Sequence, residues 1–306
     1  MKNLQKQSQY VEKRIWVVAN NLKNVFGRTN KSATLSAVIG SPVAHSLSPL
    51  LHNAAFSSLG MDWEYVALEI TESELDEVLA QMRSGNLGGL SVTMPFKTRV
   101  ASLVDECTST AEKLSAVNCV VANEKGLIGH NTDGDGFLNG LVHDAQFNPK
   151  GKKAAVIGAG GAARAVIEAL ARSGAASIMV VNRTLEKAES AADLAGEVGG
   201  VGTLEDISEA DLVVNATSIG MQDSQTDIPC SMELLHPGQL IVDLIYHPLE
   251  TKWISLAKQN GIDSHNGVSM LLFQAAEAFT LWTGEEAPIS IMQEAITQKL
   301  KKRTQN

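Results

Sequence analysis

Three segments of this chain combine residue types and spacing that can do chemistry. The first, Val156-Ile157-Gly158-Ala159-Gly160-Gly161-Ala162-Ala163, sets a glycine pattern between an apolar run and a helical one. Gly158 permits a tight turn, Gly160 lets backbone approach a pyrophosphate, and the small Ala163 lets helix and strand pack closely. The N–H groups of the helix start, from Gly161 and Ala162 on, then face the phosphates of a dinucleotide. The second segment, Asn182-Arg183-Thr184 with Lys187 about one turn later, follows the apolar run Ser177 to Val181. A carboxylate there would accept from the ribose 2′-hydroxyl of NAD, whereas cationic Arg183 and Lys187 suit a 2′-phosphate, which predicts NADP. The third ends the run Gly89 to Met94 with Pro95-Phe96-Lys97, putting a lysine just past the C-terminal end of a strand, where open α/β sheets form their ligand crevices. Each has a plainer reading, as a tight βα turn, a solvated helix start and a surface charge.

The elements that must hold these residues alternate as βα units do. Thr34 to Gly40, Glu64 to Ile70 and Gly89 to Met94 read as strands. Pro49 to Leu59, closed by Gly60, and Glu72 to Met82, opened by Thr71, read as helices. Val117 to Ala122 and Leu127 to His130 form a hairpin through the turn residues 123–126. After the polar junction Phe147 to Lys152 a second series begins, with strands at Lys153 to Ile157, Ser177 to Val181, Leu212 to Asn215 and Leu240 to Leu244, the layout of a doubly wound parallel sheet. Val268 to Trp282 and Pro288 to Lys301 are helical. We therefore expect an α/β protein with a basic extension at 1–31, a substrate domain at 32–135, a Rossmann-type coenzyme domain at 136–266, and C-terminal helices at 267–306 that return to the substrate domain.

Composition agrees with that layout and narrows the partners. The 306 residues suit two cores, and aromatics at 5% favour helices packed on sheets over a β-sandwich. The net charge of −9 is unevenly spread, because residues 1–31 hold seven Lys or Arg against Glu12 alone, and the remainder carries 18 bases against 33 acids. Such a body repels a phosphate backbone, so nucleic acid is not an expected partner. No apolar run approaches the ~20 residues of a membrane span, so no membrane partner is expected either. Cys107, Cys119 and Cys230 are too scattered for a disulfide framework or a zinc site, which fits a reducing, cytoplasmic home. The histidines lack paired ligand spacing, so no metal is expected. The leader contains an amphipathic piece, Tyr10 to Leu22, and an organelle-targeting role for it stays open.

Nine motifs occur in one order from about residue 37 to 284: His45-Ser46-Leu47-Ser48-Pro49, Val92-Thr93-Met94-Pro95-Phe96-Lys97, Ala116-Val117-Asn118, Asn131-Thr132-Asp133, the glycine loop, Asn182-Arg183-Thr184, Asn215-Ala216-Thr217-Ser218-Ile219-Gly220-Met221, Asp243-Leu244-Ile245-Tyr246-His247-Pro248 and Gln274-Ala275-Ala276. Together they resemble the shikimate dehydrogenase family, which reduces 3-dehydroshikimate with NADPH on the way to chorismate. The resemblance implies that Ser46 and Ser48 bind the substrate carboxylate and that Thr93, Asn118, Asp133 and Gln274 hold ring hydroxyls. It implies that Lys97 and Asp133 are the catalytic pair, that Tyr246 lies near the carboxylate, and that Thr217, Ser218 and Met270 lie near the nicotinamide. Ser91 departs from family members with Asn at that position, and the basic leader lies outside the resemblance.

Those residues also make chemical sense by themselves. Ketone reduction needs hydride at carbon and a proton for the developing alkoxide, and a lysine beside that oxygen can donate the proton or stabilise the charge. Asp133 would raise the lysine pKa while burial would lower it, so both roles are open at this point. Ser48 before Pro49 also reads as an N-cap followed by N1, and a carboxylate near that first turn would meet the helix dipole as well as the two hydroxyls. A quinate/shikimate dehydrogenase preferring NAD, a glutamyl-tRNA reductase with a nucleophilic cysteine, and a non-catalytic dinucleotide-sensing module are the rival readings. The expected assembly is a monomer or a homodimer.

Overall fold

The computed structural model describes residues 22–26, 33–221 and 226–304. Among these the chain forms two compact units, one from the residues up to Thr132 with Ala275–Lys299, the other from Asp133–Gln274 with the residues from Leu300 on. Of the basic leader, helix α1 (Leu22–Phe26) is described, and Tyr10 to Asn21 lie outside the described residues. Leu22 and Val25 are buried in the same core as Ala37, Val66 and Leu90, so this described piece of the leader joins the first unit's core.

The first unit carries strands β1 (Thr34–Gly40), β2 (Trp63–Glu69), β3 (Gly89–Val92), β4 (Glu106–Cys107), β5 (Cys119–Asn123) and β6 (Gly126–His130), in the order β2-β1-β3-β5-β6-β4. β1 runs parallel to β2 and β3, and the hairpin β5–β6 joins β3 antiparallel. The last five residues of β1 are all buried, the mark of a strand covered on both faces. Helices α2 (Ser48–Ser58), α3 (Leu75–Arg83), α4 (Lys97–Ala101) and α5 (Ser109–Leu114) follow the strand ends. The helix expected from Glu72 opens as a 3₁₀ turn, Glu72–Glu74, where the Glu74 carboxylate accepts from the Thr71 N–H at 2.7 Å. The two-residue β4 has too little pattern to be read from sequence.

The second unit is a six-stranded, all-parallel sheet of β7 (Lys153–Ile157), β8 (Ser177–Val181), β9 (Gly199–Val201), β10 (Leu212–Asn215), β11 (Leu240–Asp243) and β12 (Asp263–Asn266), ordered β12-β11-β10-β7-β8-β9. The chain winds outward from β7 through β8 and β9, then resumes on the other side at β10, so the switch point lies between β7 and β10. Helices α6 (Asp133–Ala145), α7 (Gly161–Arg172), α8 (Leu185–Ala192), α9 (Lys252–Gln259), α10 (Val268–Thr283) and α11 (Ile289–Thr304) complete the chain. No helix among the described residues is long and apolar enough to cross a membrane.

The units divide at Asp133 and inside α10, whereas the sequence suggests divisions at 136 and 267. The reason lies in α6. Glycines at 134, 136 and 140 weaken a helix on propensity alone, yet here each is a contact point. A Cβ at Gly134 would stand 2.9 Å from the Ala165 carbonyl oxygen on α7, and at Gly140 3.2 Å from Ser269 Cβ on α10. Asp135 adds an ion pair to Arg172 of α7 at 2.8 Å. From its first turn, α6 therefore packs as part of the second unit.

Candidate active site

In the first unit the candidate residues gather where parallel strands end. Beyond β1, the Ser41–Leu47 loop is held by Glu69, whose carboxylate accepts from the Val43 N–H at 3.3 Å, and by the Met94 carbonyl, which accepts from the Ser41 N–H at 3.0 Å. The loop beyond β3 is laced to it. A Cβ on Gly40 would stand 2.5 Å from Thr93 Cγ2, so glycine there lets the two loops meet. Ser46, Ser48, Thr93 and Lys97 share this edge.

The N-cap expected at Ser48 is corrected by the structure. Leu47 is the cap, because its carbonyl accepts from the Leu51 N–H at 3.2 Å; Ser48 is the first helical residue, and no side chain caps the helix. Ser46 takes the local role, its Oγ accepting from the Ser48 N–H at 3.3 Å in a serine turn. The Ser48 hydroxyl is thus not committed to capping.

Lys97 opens α4, in the first turn, where a cation is disfavoured by the helix dipole. Its carbonyl accepts from the Val117 N–H at 3.0 Å, one residue before Asn118. Asn118 is buried, and its amide is paired across the hairpin: Nδ2 donates to Thr132 Oγ1 at 3.0 Å, and Oδ1 accepts from the Thr132 N–H at 2.8 Å. Asp133, also buried, follows directly in the chain. Backbone and side-chain bonds therefore run from Lys97 through Val117 and Asn118 to the residue before Asp133.

In the second unit the candidate residues line the carboxyl edge of the sheet. Gly158 has φ 116°, a conformation that favours glycine, and a Cβ there would meet Ala216 backbone and Thr217 Cγ2 at 3.0–3.2 Å. Gly160 and Gly161 have open space where a Cβ would stand, so a ligand can come close to this backbone, and α7 begins at Gly161 with no side-chain cap. Ala159 and Ala162 complete the loop. Beyond β8, Asn182 Nδ2 donates to the Thr184 carbonyl at 2.9 Å, while Arg183 and Lys187 are exposed at the start of α8. Ser218 is exposed and Thr217 half-buried beyond β10, Tyr246 is half-buried beyond β11, and Met270 lies in the first turn of α10. A narrow cleft beside Met270 is lined by Gly140, Leu141, Val242, Asn266 and Gly267. Gln274 lies further along α10, its Nε2 donating to the Leu271 carbonyl at 2.9 Å.

Two buried residues that head motifs in the sequence without a role of their own support this edge. Asn215 Oδ1 accepts from the Thr217 N–H at 3.1 Å and hydroxyl at 2.7 Å, and Asn215 Nδ2 donates to Asp243 Oδ1 at 3.0 Å. Burial pushes the Asp243 carboxyl above the usual carboxylate range, against bonds from Thr251, Ile245 and Asn215 that favour the charged form. The signal available in sequence was a polar residue closing each of two apolar strands.

All three cysteines have thiols pushed up by burial, Cys230 to about 11, with Cys119 fully buried. None has the lowered pKa of an activated nucleophile, which removes the main requirement of the glutamyl-tRNA reductase reading.

Sequence comparison decides the family. The family described as shikimate dehydrogenase substrate binding domain matches residues 38–120, shikimate / quinate 5-dehydrogenase matches 141–228, and shikimate 5′-dehydrogenase C-terminal domain matches 267–297. The chain belongs to the shikimate dehydrogenase family. Among its shikimate dehydrogenase relatives, the NADP(+) enzyme of Moorella thermoacetica is 42% identical over 279 residues, covering 88% of this chain and 94% of the relative. The shikimate 5-dehydrogenase of Thermus thermophilus, solved in complex with NADP(H) and shikimate, is 38% identical with a TM-score of 0.80, covering 87% of this chain and 99% of that one. The quinate dehydrogenase of Corynebacterium glutamicum, solved in complex with NAD, is 30% identical with a TM-score of 0.81, covering 87% and 99%. The shikimate dehydrogenase fold is thus the two-unit α/β fold expected from the sequence.

Proposed function

We infer that this chain is an NADP-dependent shikimate dehydrogenase, an oxidoreductase that reduces 3-dehydroshikimate reversibly to shikimate. Hydride passes from the nicotinamide C4 to the ring C3, the carbonyl π electrons move to oxygen, and that oxygen takes a proton. Lys97 and Asp133 are the acid–base pair. The carbonyl oxygen lies by the Lys97 ammonium, which stabilises the growing negative charge and supplies the proton, while Asp133 orients the ammonium. Ser46 and Ser48 bind the carboxylate with Tyr246 near it, and Thr93, Asn118, Asp133 and Gln274 take the ring hydroxyls.

NADP supplies the hydride. The residues present fit it: Gly158 to Ala162 offer bare backbone at a helix start for the pyrophosphate, Asn182, Arg183, Thr184 and Lys187 suit the 2′-phosphate, and Thr217, Ser218 and Met270 take the nicotinamide end. Position 182 offers no carboxylate for a free 2′-hydroxyl, which favours NADP over the NAD-linked reading.

The observation that carries the reading is the bonded path from Lys97 through Val117 and Asn118 to Thr132, beside Asp133, at a sheet edge that also holds Ser46, Ser48 and Thr93. We further propose a cytoplasmic monomer or homodimer, which sedimentation would distinguish. The deciding assay follows NADPH and NADH absorbance with 3-dehydroshikimate, and NADP and NAD reduction with shikimate and quinate. Fastest turnover with NADP(H) and the shikimate pair is expected; no turnover with any pair overturns the reading.

A further inference from the structure

Asn215 and Asp243 close neighbouring strands β10 and β11 in register, and both are fully buried. A buried amide and carboxylate are costly unless their polar atoms find partners. Here they do. The Asp243 carboxylate accepts from Asn215 Nδ2 at 3.0 Å, from the Ile245 N–H at 3.2 Å and from the Thr251 hydroxyl at 2.7 Å. Asn215 in turn donates to the Ile219 carbonyl at 3.2 Å and accepts both the N–H and the hydroxyl of Thr217. The Thr217 oxygen then accepts from the Ile219 N–H at 3.1 Å, so its hydroxyl is used inside the loop and its methyl faces Gly158. Thr251 Oγ1 also caps α9, accepting from the Ile254 N–H at 3.3 Å.

Two loops therefore depend on one carboxylate. Through Asn215 it sets the turn 216–220; through Ile245 and Thr251 it sets both ends of the segment 244–251 that carries Tyr246. An apolar pair would hold β10 against β11 equally well at lower desolvation cost, so the polar hub has its value in directing the loops that leave the two strands.

We propose that Asp243 is a positioning residue for both ligands at once, fixing the Thr217–Ser218 loop for the nicotinamide and the Tyr246 segment for the substrate carboxylate. The proposal rests on the functional reading above. It predicts a signature that neither loop alone produces. Thr217→Val raises the KM for NADPH, and Tyr246→Phe raises the KM for 3-dehydroshikimate. Asp243→Ala, which removes both carboxylate oxygens, raises both together and lowers kcat/KM by on the order of 10- to 100-fold, the scale of misplacing bound groups by about an ångström.

The test is steady-state kinetics of these variants with NADPH and 3-dehydroshikimate, together with NADPH dissociation constants from its fluorescence and the folded fraction from thermal unfolding. If Asp243→Ala does not fold, Thr251→Val and Thr251→Ser test the arm that carries Tyr246: the valine variant, which lacks the hydroxyl bonded to Asp243, raises the KM for 3-dehydroshikimate, and the serine variant restores it. Both KM values unchanged, with kcat falling only as the folded fraction falls, overturns the proposal. A wild type that binds NADPH without reducing 3-dehydroshikimate overturns the functional reading instead, and a weakened NADPH dissociation constant in Asp243→Ala then still reports the coupling to the Thr217 loop, while an unchanged one rejects it.

Discussion

Gly136 lies so close to Gln274 that a Cβ on the glycine would stand 2.7 Å from the Gln274 backbone nitrogen and 2.8 Å from its Cβ. The atoms it would meet include backbone, so α6 and α10 would have to move apart to admit a methyl group. Gly136→Ala should cost about 1–3 kcal/mol, as overpacking does. It should also displace Gln274 and raise the KM for 3-dehydroshikimate; denaturant unfolding and steady-state kinetics read the two effects.

Arg183 and Lys187 stand exposed at the start of α8 with no carboxylate at position 182. Hydrogen bonds to charged groups contribute about 1.5–3 kcal/mol each, so Arg183→Ala should lower the ratio of kcat/KM for NADPH over NADH by roughly 10- to 100-fold. Activity with NADH should change little. A ratio that stays at the wild-type value would make these cations ordinary surface charge.

The two serines reverse the stability ranking that their sequence suggests. Ser46 Oγ holds the Ser48 N–H, whereas Ser48 caps nothing. Ser46→Ala should therefore lose up to about 1 kcal/mol of stability, and Ser48→Ala should show no capping loss. Both should raise the KM for substrate, as measured by kinetics beside thermal unfolding.

His52 is fully buried, stacked on Tyr65 at 4.4 Å between ring centroids, and burial lowers its pKa to about 3. Its folded-state pKa lies below its unfolded value of about 6.5. The unfolded chain therefore takes up a proton that the folded one refuses, and stability falls as pH drops from about 6.5 toward 3. At pH 5 the loss should be on the order of 2 kcal/mol relative to neutral pH. Urea unfolding at both pH values should show that loss shrinking in His52→Phe; an equal loss in both proteins would assign the acid sensitivity elsewhere.

The coenzyme sheet was legible because its strands are short, apolar and bounded by glycine. Lys153–Ile157, Ser177–Val181 and Leu212–Asn215 lie where the pattern puts them. β9 and β12 carry no strand signal, since Gly199-Gly200-Val201 and Asp263-Ser264-His265-Asn266 lack the apolar content of a strand and pair on one side only, at the sheet's edges. The start of α6 was hidden for a related reason. Asp133-Gly134-Asp135-Gly136 reads as a turn by propensity, and only contacts with α7 and α10 make it helix. At the site, residues facing the ligands could be read from motif resemblance and chemistry, but the supports behind them, Asn215, Asp243, Thr251 and Thr132, bond to residues 8 to 28 positions away, so a polar residue closing a strand marks their place and not their partner.

The most direct test of the whole account is kcat for Lys97→Ala with NADPH and 3-dehydroshikimate. A positioned acid contributes typically about 10²–10⁴ in rate, so kcat should fall by that factor while the dissociation constant for NADPH stays near the wild-type value. A kcat within a few-fold of wild type would remove Lys97 from the chemistry and contradict the mechanism.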